Sequence, residues 1–184
     1  PSPVTAYGVF MGMKAAAKYK FGSDILEDKV IYVQGIGNVG EALVENLSNE
    51  GAKVYIADIN QDRLEEVRDK YSVNIYGGDN IYAEEMDIYA PCALGATVND
   101  FTINQLNTKI IAGAANNQLA EEQKHGKMLR ERGIVYAPDF LINAGGIINV
   151  YAELENYDRK EIMRKTENIY NTTLEILKKA DADN

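Results

Sequence analysis

The run Gly35-Ile36-Gly37-Asn38-Val39-Gly40 constrains this chain more than any other feature. It follows the β-rich stretch Val30-Ile31-Tyr32-Val33-Gln34 and opens an amphipathic segment over residues 38–49. Three glycines at this spacing, between a strand and a helix, build a phosphate cradle. The first permits the tight turn, the second lets a pyrophosphate reach the backbone, and the third lets the helix pack on the strand. The next β-rich run, Val54-Tyr55-Ile56-Ala57, delivers Asp58 about 20 residues further on, where this fold places a carboxylate for the two ribose hydroxyls. Strand, loop, helix and acid in register imply a bound dinucleotide. The acid implies NAD, because a carboxylate repels the 2′-phosphate of NADP and no arginine occurs in Ile59-Asn60-Gln61; Arg63 is the nearest cation after it.

Further β-rich runs cover residues 73–76, 88–90, 110–112 and 134–137. They are short, mostly apolar on both faces and bounded by Gly, Asp or Pro, as expected of parallel strands covered on both sides. Helical patterns cover residues 5–19, 38–49, 62–71 and 143–156, and a last helix runs from the break at Tyr157-Asp158 to about residue 180 with Ile162, Ile169, Leu174 and Ile176 as its apolar face. The expected fold class is α/β, a Rossmann-type doubly wound, mostly parallel sheet with helices on both faces.

At 184 residues the chain is one domain's length, spanning residues 1–184, and its 15 glycines are dispersed among periodic segments. A net charge of −9 argues against non-specific nucleic-acid binding, which needs a clustered basic surface; a small-molecule partner fits better. Cys92 is the only cysteine, so no internal disulfide forms and a reducing, cytoplasmic setting is expected. No stretch approaches the roughly 20 apolar residues of a membrane span. The start at Pro1-Ser2-Pro3 has no initiator methionine and reads as the lead-in to a helix, so a fragment is expected.

The carboxyl ends of the later strands carry Pro91-Cys92-Ala93-Leu94-Gly95-Ala96, Gly113-Ala114-Ala115-Asn116-Asn117 and Pro138-Asp139-Phe140-Leu141-Ile142-Asn143-Ala144-Gly145-Gly146. Ligands of open α/β sheets bind outside these ends, so small residues and amides here suit close approach by a nicotinamide and its ribose.

These strings, together with Ser2-Pro3-Val4-Thr5-Ala6-Tyr7-Gly8-Val9 and Asn116-Asn117-Gln118-Leu119, resemble the cofactor domain of the glutamate/leucine/phenylalanine/valine dehydrogenases, nearest the leucine-specific branch. The resemblance covers essentially the whole chain; Ala96, where a second glycine is usual, and the polar stretch Glu121-Glu122-Gln123-Lys124-His125 depart from it. It implies oxidative deamination: an L-amino acid gives its α-hydride to the nicotinamide, and the imine is hydrolysed to a 2-oxo acid and ammonium. It implies that Thr5 holds the nicotinamide carboxamide, that Cys92 and Ala93 line the ring, that Asn116 contacts the nicotinamide ribose, and that Asn143 orients the cofactor amide and the substrate. The expected cofactor-binding set is therefore Thr5, Gly35, Gly37, Asn38, Val39, Gly40, Asp58, Ile59, Cys92, Ala93, Ala114, Asn116 and Asn143. The substrate set is Asn143, Ile147 and Val150. Ile147 and Val150, three residues apart, share a helix face, and Val150 offers no hydrogen bond to a γ-carboxylate, which implies an aliphatic, branched-chain substrate such as leucine.

The family's catalytic lysine and aspartate lie on another domain, upstream, against which the last helices (about residues 158–180) would pack, and that domain largely builds a homo-oligomer. The other reading is a stand-alone NAD-binding module with a regulatory or sensing role. Cys92 is expected to be a small buried thiol rather than a nucleophile, and Glu153-Leu154-Glu155 an exposed helix face. His125, the only histidine, is expected to be solvated; without a cysteine or second histidine beside it, no metal site is expected.

Overall fold

In the computed structural model, which describes residues 2–183, the alternation of side chains along each strand sorts the interior into two layers. Ile31, Val33, Ile88, Ala90, Ile110 and Ala112 point into one core, while Tyr32, Tyr89 and Ile111 point into the other. Both faces are apolar because both are covered.

The strands are β1 (Val30–Gln34), β2 (Lys53–Ala57), β3 (Asn74–Ile75), β4 (Ile88–Pro91), β5 (Ile110–Ile111) and β6 (Val135–Tyr136). All five pairings are parallel, in the order β3-β2-β1-β4-β5-β6. The chain winds outward from β1 to β3, returns to β4 and winds the other way, so a crevice opens between the carboxyl ends of β1 and β4. β3, β5 and β6 are shorter than their apolar runs, since a ladder extends only as far as both partners stay in register.

The helices are α1 (Ser2–Phe21), α2 (Asn38–Asn49), α3 (Gln61–Tyr71), α4 (Glu122–Glu131), α5 (Asp139–Ile142), α6 (Gly145–Leu154) and α7 (Arg159–Ala182), with a 3-10 turn at Ile81–Ala83. Helix α2 has the bounds its amphipathic pattern implies, with Leu43, Val44 and Leu47 buried and Gly51 following its end at φ +86°. Helix α1 buries a broad face that includes Ala6, Val9, Met13, Ala16 and Ala17 and leaves Lys18 and Lys20 exposed.

Two helical expectations change. The helix expected over 143–156 is α6, two residues shorter at each end (Gly145–Leu154), and a separate short helix, α5, precedes it and is capped by Asn143. In α7, Ile176 is exposed; the buried stripe runs through Ile162, Thr166, Ile169 and Thr173, with Leu177 packed against the core. That stripe keeps helical spacing but passes through threonines, and Thr166 satisfies its hydroxyl on the Ile162 carbonyl at 2.8 Å. No helix among the described residues is long and apolar enough to cross a membrane.

Candidate functional site

The glycine loop sits at the crevice. Gly35 ends β1 at φ +99°, and a Cβ there would lie 2.5 Å from the Ala93 nitrogen, so the segment after β4 packs directly on the turn. A Cβ on Gly40 would lie 2.1 Å from the Gly35 carbonyl oxygen, which is how close α2 comes to the strand end. Gly37 differs. It precedes the first turn of α2, has no side-chain cap, is exposed, and would place a Cβ in open space. The first amides of a helix have no intrahelical acceptor, so with Asn38 and Val39 following Gly37 this end can receive a phosphate.

Asp58 follows β2 and is half-buried. Its Oδ2 accepts from the Ile36 amide at 2.8 Å and its Oδ1 from the Asn60 amide at 2.9 Å. A carboxylate has about four acceptor sites, so both oxygens keep capacity for ribose hydroxyls. Ile59 beside it is fully exposed.

Across the crevice, the Cys92 amide donates to the Gln34 carbonyl at 2.7 Å, which fixes Cys92 and Ala93 against β1. Burial pushes the Cys92 thiol up to about 11, against a weaker opposing hydrogen bond from the Ala114 backbone. The thiol is neutral near pH 7 and unsuited to nucleophilic attack. After β5, the buried Gln118 clamps the next loop, its Nε2 donating to the carbonyls of Gly113 (2.9 Å) and Ala115 (2.8 Å). Its own amide donates to Asp139 Oδ2 at 3.2 Å, which ties this loop to the one after β6.

These clamps bring Asn116 and Asn143 together, with Asn143 Nδ2 donating to Asn116 Oδ1 at 2.5 Å. Thr5 reaches the same turn from α1: a Cβ on Gly146 would lie 2.9 Å from the Thr5 hydroxyl, and one on Gly145 would lie 2.5 Å from the Val4 carbonyl. Beyond the turn, Ile147 and Val150 are 75% and 54% exposed and share one face of α6 with the exposed Tyr151 and Leu154. They are not core residues of the domain.

The fit extends to sequence relatives. Residues 2–60 and 55–182 match the glutamate/leucine/phenylalanine/valine dehydrogenase family. The chain belongs to that family. It is 54% identical over 183 residues to leucine dehydrogenase of Thermoactinomyces intermedius, covering 100% of this chain and 50% of that protein. The crystal structure of L-tryptophan dehydrogenase from Nostoc punctiforme superimposes with a TM-score of 0.96 at 43% identity, over 100% of this chain and 56% of that one. Hetero-hexameric glutamate dehydrogenase from Thermus thermophilus shares the fold, with a TM-score of 0.75 at 19% identity over 95% of this chain and 46% of that one. The chain spans about half the length of the curated relatives it matches. Family and fold together imply a nucleotide cofactor.

Near the site one expectation is corrected. His125 is buried rather than solvated, 1% exposed, because α4 turns His125 and Leu129 inward four residues apart. Its Nδ1 accepts the Glu121 amide at 3.0 Å and its Nε2 lies 2.8 Å from Asp100 Oδ1. Asp100, Glu121 and His125 cluster closely, but both ring nitrogens are engaged and Lys124 already brings a cation to Asp100 at 2.9 Å. Asp100 is held below the usual carboxylate range chiefly by the His125 hydrogen bond and next by Lys124.

Sequence reasoning missed the clamp by Gln118 and the positions of Arg63 and Glu41. Arg63 Nε donates to the Ile36 carbonyl at 2.9 Å, and its Nη1 pairs with Glu41 Oε1 at 3.0 Å. The register of α3 after Asp58 is the only sequence signal for the arginine. A concavity of about 920 Å³ between α1, α4, β6 and α7 holds none of the expected site residues.

Proposed function

We propose that this chain is the NAD-binding domain of an amino-acid dehydrogenase that oxidatively deaminates an aliphatic, branched-chain L-amino acid such as leucine to its 2-oxo acid and ammonium. The observation that carries the cofactor assignment is the placement of the Asp58 carboxylate on the glycine loop by the Ile36 and Asn60 amides. A fixed negative charge there accepts two ribose hydroxyls and opposes a 2′-phosphate.

When bound, the nicotinamide supplies a two-electron hydride acceptor. The chain's own residues set its position. Amides at the start of α2 would hold the pyrophosphate, Cys92, Ala93 and Ala114 would line the ring, Asn116 would meet the adjoining ribose, and Thr5 and Asn143 would orient the carboxamide. In this reading the Asn116–Asn143 contact reorganises to admit the ribose, and Asn143 also orients the substrate.

The preference for an aliphatic side chain rests on Ile147 and Val150, which present an exposed face without hydrogen-bonding groups and so favour apolar burial over a charged side chain. The 54% identity to a leucine dehydrogenase supports it. Proton transfer is assigned to groups outside these residues, on a domain against which α7 would pack. A cytoplasmic homo-oligomer completes the proposal, with the lone cysteine compatible with a reducing compartment.

The test is a NADH-formation assay on the full-length gene product with leucine, valine, phenylalanine and glutamate. The highest kcat/KM is expected with a branched aliphatic substrate. Equal or better turnover of glutamate or phenylalanine would refute the substrate assignment.

A further inference from the structure

Resting on the NAD reading, we propose that Glu41 sets dinucleotide selectivity by holding Arg63 on the glycine loop and away from the position of a 2′-phosphate. Arg63 lies five residues after Asp58, in the first turn of α3, where Asn60 Oδ1 accepts its amide at 3.1 Å. Ile36 joins the two charged groups: its amide donates to Asp58 at 2.8 Å and its carbonyl accepts Arg63 Nε at 2.9 Å. The guanidinium and the ribose-reading carboxylate therefore grip opposite sides of one residue. A guanidinium that close to the ribose would form a charge-assisted, bidentate pair with a 2′-phosphate if it were free to turn toward it.

Glu41 removes that freedom. It sits in the first turn of α2, one residue after the last glycine of the loop, and pairs with Arg63 Nη1 at 3.0 Å. The two side chains are only 20% and 23% exposed, so solvent screens this pair less than a surface pair. Glu66 lies 3.5 Å from the same nitrogen but is 65% exposed and holds it less firmly. Lys70 approaches the other Glu41 oxygen at 3.9 Å, leaving Glu41 anchored on both sides. With Arg63 neutralised, an incoming 2′-phosphate meets Asp58 without a compensating cation. Discrimination then has two parts, a repelling acid and a cation withheld by a second acid.

The test is calorimetric titration of the unmodified chain, Glu41→Gln, Arg63→Gln and the double variant with NADH and with NADPH at low ionic strength. Gln is isosteric with Glu and keeps the packing. Glu41→Gln is expected to raise NADPH affinity roughly tenfold, the scale of one charge-assisted contact, with NADH affinity changed by less than about threefold. The gain should vanish in Glu41→Gln/Arg63→Gln. A shift shared equally by both cofactors would make the pair a plain loop support and overturn the inference, as would an NADPH gain that survives without Arg63. Absence of NADH binding by the unmodified chain would instead overturn the dinucleotide reading, and this inference with it.

Discussion

Asp58 and Ile36, 22 residues apart in sequence, are joined by a 2.8 Å hydrogen bond from the Ile36 amide to Asp58 Oδ2, which fixes the carboxylate at the end of β2 to the turn at the end of β1. Asp58→Asn leaves one oxygen to serve two amides. Its NADH affinity should fall about tenfold while discrimination against NADPH narrows, at a stability cost of about 1–2 kcal/mol for the unpaired amide. Paired titrations and a urea unfolding curve check both; unchanged selectivity would mean that another acid reads the ribose.

Gly37 and Gly40 should separate binding from folding. Gly40→Ala places a methyl 2.1 Å from a backbone oxygen and should destabilise the domain by about 1–3 kcal/mol. Gly37→Ala meets nothing, so its unfolding free energy should stay within about 0.5 kcal/mol while NADH affinity drops severalfold or more. Thermal melts with and without NADH distinguish the two variants.

How much of this was legible in the sequence follows from which contacts are local. The bounds of α2, the order of strands and helices and the glycine loop are written in short-range periodicity and turn chemistry, so they could be read directly. The pairing of Arg63 with Glu41 crosses from α3 to α2, and the clamp by Gln118 binds three separate points of backbone and loop; neither leaves a periodic trace. The polar neighbours Gln123 and Lys124 imply a solvated His125, yet helix geometry turns it inward with Leu129. The α7 stripe departs from the apolar pattern at Ile176 for the opposite reason: two threonines, Thr166 and Thr173, take core positions, and Thr166 does so by bonding its hydroxyl back to the Ile162 carbonyl.

His125→Ala should remove the partner of the Glu121 amide and one partner of Asp100. A loss of about 2–3 kcal/mol is expected from that vacancy and the cavity. NADH affinity should not change, since none of the glycine-loop or asparagine contacts involve α4. A parallel loss of cofactor binding would tie this cluster to the site.

Stability should fall as pH rises above about 9. The Cys92 thiol is raised from 9.0 to about 11 in the folded chain, and Tyr7 and Tyr170 are each raised from 10.0 to about 12, all by burial first. Each group holds its proton in the native state over a range where the unfolded chain releases it, so the native state binds more protons and alkali favours unfolding. Urea midpoints should decline steadily between pH 9 and 12, and Cys92→Ala should flatten the part between 9 and 11. Alkylation of the half-buried Cys92 in the native chain near pH 8 should be slow, because the thiol is neutral there; fast modification would contradict the raised thiol.

The most direct test of the central claim is calorimetric titration of the unmodified chain with NADH and NADPH side by side. The structure predicts saturable one-to-one binding of NADH and markedly weaker binding of NADPH. No heat with millimolar NADH, or NADPH binding as tight as NADH, would contradict it.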